Sequence, residues 1–263
     1  MMESSEETTQ QTQEISFESI FQEPENFREQ VPIFRYTSYS SPNRGFRFHN
    51  IRLVGKHPLW GHYLWNGAVL LADILSGEAP IPTHIQVVGD RILELGAGAA
   101  VPSMIAALRG ASYVLITDYP DKELVENIKY NISENLPVDI LKRVHVEAFQ
   151  WGDVGFLDRF EKEQDRFDKI FLADLISNHY AHEKLLWSCQ KLLKSNGIAY
   201  VSFSHHRPHK MKQDLRFFHL ALSYGMTATH LSTVRRECMF PNDIGSEEIR
   251  SQVHLWKLCK KES

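Results

Sequence analysis

Arg91-Ile92-Leu93-Glu94-Leu95-Gly96-Ala97-Gly98-Ala99-Ala100 decides how the chain is read. An apolar run ends in an acid, a glycine pair follows at once, and the helix-forming stretch Val101 to Arg109 comes next. The pattern predicts a strand, a tight turn and a helix N-terminus, a geometry that aims free backbone N–H groups at a ligand. Glycine suits the turn because a Cβ would block a ligand's approach to the backbone. An ordinary strand-to-helix turn with no ligand is the competing reading.

The next segment, Ser112-Tyr113-Val114-Leu115-Ile116-Thr117-Asp118, is a second apolar run ending in an acid, and Asp118 lies twenty residues after Gly98 (118 − 98). In a doubly wound sheet that position binds ribose hydroxyls, and a carboxylate can accept both hydrogen bonds of a vicinal diol. Two features choose among nucleosides. The dinucleotide fingerprint would place a third glycine at position 101, where Val101 stands. Glu94 puts negative charge where a pyrophosphate would be repelled but a cationic sulfonium and ammonium would be attracted. The expected cofactor is therefore S-adenosyl-L-methionine. No Gly-Lys-Ser/Thr follows the turn, so a P-loop is not expected.

The 263 residues are 43% hydrophobic and 24% charged, with a net charge of −4, which suits one large α/β domain with a tail. There is no global basic excess, so neither nucleic acid nor an anionic membrane is expected as a partner, and a monomer is expected. Cys189, Cys238 and Cys259 show no CxxC spacing and read as reduced thiols. Acidic Glu3, Glu6 and Glu7 stand where a signal peptide would be basic, and a cytoplasmic location is expected. His57 and His62 lack a carboxylate or cysteine at ligand spacing, so no metal site is expected.

Residues 1–18 read as a disordered acidic tail and residues 19–62 as an N-terminal arm with added strands, Phe46 to Leu53 among them. Residues 63–263 read as the main domain. A helix is expected over Tyr63–Leu75, preceded by the aromatic stretch around Trp60. Trp60 and Trp65 can wall a cofactor cleft, since indole faces stack on adenine or on a sulfonium; core packing is the alternative for both. Helix over Asp121–Asn131, strand over Arg143–Phe149, strand over Asp168–Asp174, helix over Ala181–Leu193, a turn at Asn196-Gly197, strand over Ile198–Phe203 and helix over Leu215–Tyr224 follow. Thr227–Arg235 and Ser251–Leu258 read as a late antiparallel hairpin. The result is a mostly parallel sheet covered on both faces, with Glu94, Asp118, Trp151 and Asp174 at strand ends, where such sheets bind ligands.

These residues carry a resemblance. Pro58-Leu59-Trp60-Gly61-His62, Leu93-Glu94-Leu95-Gly96-Ala97-Gly98, Thr117-Asp118-Tyr119-Pro120-Asp121, Ala173-Asp174-Leu175-Ile176-Ser177-Asn178-His179 and His206-Arg207-Pro208 resemble fungal class I methyltransferases that modify the N-terminus and an adjacent lysine of translation elongation factor 1-alpha. Older usage calls that family nicotinamide N-methyltransferase-like, and Phe21 to Arg28 resembles its N-terminal arm. The resemblance implies a Rossmann-like fold with a seven-stranded sheet and an antiparallel edge hairpin. It implies cofactor binding by Trp60, Gly96, Ala97, Gly98, Asp118, Trp151 and Ala173, joined by the neighbouring Trp65, Glu94 and Tyr119, and an active-site loop around Asp174. Related lysine methyltransferases carry an aromatic three residues after that acid, whereas Ser177 stands here.

An ammonium has no lone pair, so a methyl-accepting site must favour the neutral amine. An α-amine (reference pKa about 7.7–8.0) loses its proton far more readily than lysine (about 10.4). Asp174 is expected to orient the amine by a hydrogen bond, with Asn178 or His179 nearby; a helix N-cap is the alternative role for Asp174. His205 and His206, adjacent on an extended segment, should point opposite ways and not share a metal. Their loop should rim the substrate cleft, with Arg207 facing an acid, or else be a plain surface loop. A small-molecule N-methyltransferase, a non-catalytic binding module and an NAD-dependent enzyme remain the other classes, the last disfavoured by Val101 and Glu94.

Overall fold

The computed structural model describes residues 34–261 apart from Pro42, Pro80 and Pro82. The expected tail, and the arm around Phe21 to Arg28, lie outside the described residues. The order of elements is β1 (Arg35–Ser41), β2 (Phe46–Leu53), α1 (Asn66–Ser76), β3 (Arg91–Leu95), α2 (Val101–Leu108), β4 (Tyr113–Asp118), α3 (Lys122–Asn135), α4 (Val138–Leu141), β5 (Val144–Ala148), α5 (Val154–Leu157), β6 (Phe167–Ala173), α6 (His182–Leu192), β7 (Leu193–Ser204), α7 (Met211–Ala221), β8 (Met226–Arg235), α8 (Glu247–Arg250) and β9 (Gln252–Lys260).

Seven strands form one sheet in the order β5-β4-β3-β6-β7-β9-β8. The first five are parallel; β9 enters antiparallel between β7 and β8. Strand alternation explains how both faces are filled. Ile92, Val114, Ile116 and Phe171 point into one core, closed by α1, α2, α3 and the β1–β2 hairpin. Leu93, Leu115, Ile170 and Leu172 point into the other, closed by α5, α6 and α7. Each fully buried side chain of this size stabilises the fold by roughly 1.5–3 kcal/mol. The chain leaves β3 toward β4 and β5, then returns to β6 on the other side of β3. That reversal opens a crevice at the carboxyl ends of β3 and β6.

Strands β1 and β7 differ from expectation. β1, Arg35-Tyr36-Thr37-Ser38-Tyr39-Ser40-Ser41, pairs with β2, although its mostly polar composition gives little strand signal; only Tyr39 and Ser41 turn inward. The expected turn at Asn196-Gly197 is instead an irregularity within β7, where the register with β6 jumps from Phe167↔Leu193 to Lys169↔Ile198. The hairpin is tied to the rest by buried Asn131 on α3, whose Oδ1 accepts the Arg52 N–H at 2.7 Å and whose Nδ2 donates to the carbonyls of Arg52 (2.9 Å) and Ala99 (3.3 Å). One amide thus fixes β2, α3 and the glycine turn together.

Candidate active site

The glycine turn lies at the crevice. Gly96 (φ 60°) and Gly98 (φ 54°) occupy the left-handed region, which glycine enters without strain. A Cβ on Gly96 would come within 2.7 Å of Leu175 Cδ2 and 3.2 Å of Trp151 Cζ2, so Trp151 packs directly over the turn. A Cβ on Gly98 would meet nothing within 4 Å, which leaves its backbone open to a ligand. Buried Ala97 donates its N–H to the Thr117 carbonyl at 3.1 Å and so ties the turn to β4.

Asp118 ends β4. Its Oδ2 accepts the Gly98 N–H at 2.8 Å and its Oδ1 accepts the Tyr119 N–H at 2.8 Å. Burial pushes its carboxyl above the ordinary range, partly offset by those two donors. Each oxygen keeps a lone pair, as a vicinal diol requires. Tyr119 is about half exposed at the rim, and Ala173 ends β6 beside the crevice.

Glu94 departs from expectation. It is 1% exposed, its Oε2 accepts the Ser103 N–H at 3.0 Å on the first turn of α2, and its Oε1 is buried without a partner among the described residues. Burial pushes its carboxyl up to about 8. Near pH 7 it is therefore largely protonated, not the fixed negative charge expected from sequence. A cationic ligand end would favour ionisation. Glu94→Gln tests this. The folded protein holds a proton that the unfolded chain, near 4.5, has released, so the contribution to stability is full below about 4.5 and lost as pH rises through about 8. Thermal melts should show the variant gaining on the wild type between pH 5 and 8.5. Calorimetry should show cofactor affinity reduced about tenfold, the size of one lost charged hydrogen bond.

Three described non-glycine residues have positive φ: Trp60 (62°), Ala100 (61°) and Asp174 (55°). Ala100 caps the start of α2 after the glycine turn, Asp174 follows β6, and Trp60 lies against Trp65; such strain gathers at functional sites. Asp174 follows β6 directly. Its side chain is 1% exposed. Oδ2 accepts the Gly67 N–H at 2.6 Å from the first turn of α1; Oδ1 accepts the Ser204 N–H at 3.0 Å from the end of β7 and lies 3.1 Å from His206 Nε2. The expectation has Asp174 meeting the amine itself; here its buried carboxylate takes three protein donors and joins α1, β6 and β7.

Above it stand aromatics. Trp65, immediately before α1 rather than inside it, donates its indole N–H to the Trp60 carbonyl at 3.2 Å. Trp65 packs edge-on against His206 (centroids 4.9 Å apart), Phe240 (5.9 Å) and Tyr63 (5.6 Å). Trp60, 47% exposed, stacks on Tyr63 and His62. These rings supply a wall where Ser177 supplies none.

Other expected site residues sit elsewhere. Asn178 is exposed. His179 Nε2 lies 2.6 Å from Asp214 Oδ1, so its ring N–H is given to α7 and not to Asp174. His205 and His206 do diverge: His205 Nδ1 lies 2.6 Å from Asp214 Oδ2, while His206 turns to Asp174. Arg207 is exposed and makes no ion pair among the described residues. Sequence reasoning missed Phe240, Gly67 and Asn131. Phe240 lies in a polar loop with no periodicity, and Gly67 sits unremarkably in a helix, its role visible only because Asp174 packs against its bare Cα.

A parallel sheet with this reversal, a glycine turn opening a helix and an acid ending the next strand define a Rossmann-like class I methyltransferase. The residues fit S-adenosyl-L-methionine: Asp118 would take the ribose diol, the open backbone at Gly98 would let the ligand approach, and the partnerless Glu94 Oε1 would meet a cationic end, with Trp151 over the turn and Tyr119 at the rim. A family model described as lysine methyltransferase matches residues 55–223, and the chain belongs to that family. It is 38% identical over 244 residues to the protein N-terminal and lysine N-methyltransferase EFM7 of Candida glabrata, covering 90% of this chain and 93% of that one. It is 40% identical over 251 residues to the protein of the same name from Eremothecium gossypii, covering 91% and 93%. In fold it is similar to the solved structure of SMU.776, described as a methyltransferase complexed with SAH (TM-score 0.56, 14% identity, 83% of this chain and 57% of that one). It is likewise similar to PH1948 from Pyrococcus horikoshii, described as an RNA methyltransferase (TM-score 0.53, 18% identity, 79% and 91%).

Proposed function

We propose that this methyltransferase acts on the N-terminal amine and an adjacent lysine of translation elongation factor 1-alpha, in the cytoplasm and as a monomer. When bound, S-adenosyl-L-methionine supplies an activated methyl group. The protein's part is to bind the amine, strip its water and align it. The observation that carries the reading is the Asp174 node beneath the aromatic wall, placed beside the glycine turn. It offers an electron-rich, partly desolvated place for an amine next to the cofactor site. The names of the relatives support an N-terminal or lysine amine, and the sequence resemblance supports the elongation factor. The rim is open, with Leu59, Trp60 and Tyr119 about half exposed, which suits a protein chain better than a sealed small-molecule pocket.

The test is to incubate the enzyme with isotope-labelled cofactor and lysate from a strain lacking it, then sequence the labelled peptides by mass spectrometry. Label on the N-terminal peptide of elongation factor 1-alpha is expected. Label confined to small molecules, or to an unrelated protein, would overturn the substrate assignment.

A further inference from the structure

The geometry points to His206 as the group that meets the substrate amine, with Asp174 as its positioning residue; this deepens the function proposed above and rests on it. A carboxylate only accepts, so at 3.1 Å the Nε2–H of His206 donates to Asp174 Oδ1. That bond fixes the tautomer, and the neutral ring then carries its lone pair on Nδ1. Among the described residues Nδ1 has no hydrogen-bond partner, and it is not among the buried polar atoms cut off from solvent. The ring is only 12% exposed, held edge-on by Trp65 and, at 6.0 Å, by Phe240. An unpartnered ring nitrogen is therefore presented at the foot of an aromatic wall by a ring held by Trp65, Phe240 and Asp174.

Its titratable surroundings are these. Asp174 is bonded below, His205 is turned to Asp214, Arg207 is exposed, His62 and Tyr63 belong to the same aromatic cluster, and Glu237 precedes Phe240 on the loop that Asn66 holds. An amine arriving as an ammonium loses one N–H proton to Nδ1: the N–H bond breaks, its electron pair stays on the amine nitrogen, and an Nδ1–H bond forms. The resulting imidazolium lies against the Asp174 carboxylate and later returns the proton to water. The amine nitrogen keeps the pair that methyl transfer uses. On reference values an α-amine is neutral a few hundred times more often than a lysine amine at the same pH. A weak base such as imidazole thus serves the N-terminal amine first and the lysine more slowly.

His206→Gln separates the parts. The glutamine amide can reach the position of Nε2 and keep the bond to Asp174, but it offers no base in place of Nδ1. With the full-length enzyme and a peptide of the substrate's N-terminus, kcat near pH 7 should fall by about 10²–10⁴, the usual share of general-base help, with cofactor Kd changed less than about twofold. The deficit should shrink as pH rises above the amine's own pKa, a recovery that a merely structural role would not produce. A deficit constant with pH, or kcat within about threefold of wild type at pH 7, would overturn the inference. A wild-type measurement stands beside it: on adding the peptide and S-adenosylhomocysteine to ¹⁵N-histidine-labelled enzyme, the Nδ1 resonance of His206 should move far more than that of Nε2. An unmoved Nδ1 would also overturn it. Should the wild type methylate a different amine, the substrate reading fails alone, and the same comparison made on that amine decides the role of His206.

Discussion

Asp118→Ala should weaken cofactor binding by about 100-fold or more. Two hydrogen bonds from a ribose diol to a charged acceptor are each worth about 1.5–3 kcal/mol, and each 1.4 kcal/mol is tenfold in affinity. The same carboxylate receives the Gly98 and Tyr119 N–H groups, so its loss also frees the turn that must approach the ligand. Asp118→Asn should be little better. Its one carbonyl oxygen can serve one backbone donor, while its NH₂ would face the other. Calorimetry with S-adenosyl-L-methionine reads the effect directly. Affinity within threefold of wild type for the alanine variant would remove Asp118 from the cofactor site, and with it the choice of a nucleoside ligand.

The place of Asp118 at a strand end beside the glycine turn is legible in the sequence, and the reason is local. A strand, its bend and the acid on the neighbouring strand are encoded in contiguous runs, and parallel order fixes where their ends meet. Residues 91–118 read correctly because buried parallel strands are continuous apolar blocks whose last residue is the first free to be polar. The β1 strand was invisible because only Tyr39 and Ser41 of its seven residues are buried, so burial left little imprint on composition. The amine end was legible only in part. Asp174 could be placed at a strand end, but its partners Gly67, Ser204 and His206 lie 107, 30 and 32 residues away. Whether an acid faces a substrate or its own backbone depends on which donors the fold delivers to it, and no spacing rule records that. The same holds for His179, claimed by Asp214 on α7, and for Glu94, whose depth beneath α2 turns an apparent charge into a mostly protonated acid.

Asp174→Ala should cost both stability and turnover. The substitution strands the N–H groups of Gly67 and Ser204 in a buried place and leaves His206 without its anchor. Breaking such a buried charged cluster costs about 3–5 kcal/mol. For a domain of this size that lowers Tm by about 10 °C. Part of the cost is backbone: at φ 55° alanine is disfavoured by about 1 kcal/mol relative to glycine. Asp174→Gly should therefore melt a few degrees above Asp174→Ala while remaining equally inactive, since neither holds His206 in place. Gly67→Ala approaches the node from the other side, because its Cβ would come within 2.5 Å of Asp174 Oδ2 and 2.8 Å of the Ser202 carbonyl. If Asp174 works through position, the glycine and Gly67→Ala variants should lose kcat with cofactor affinity nearly intact. Normal kcat in a folded Asp174→Gly enzyme would show that the carboxylate only braces the fold and that amine alignment lies elsewhere.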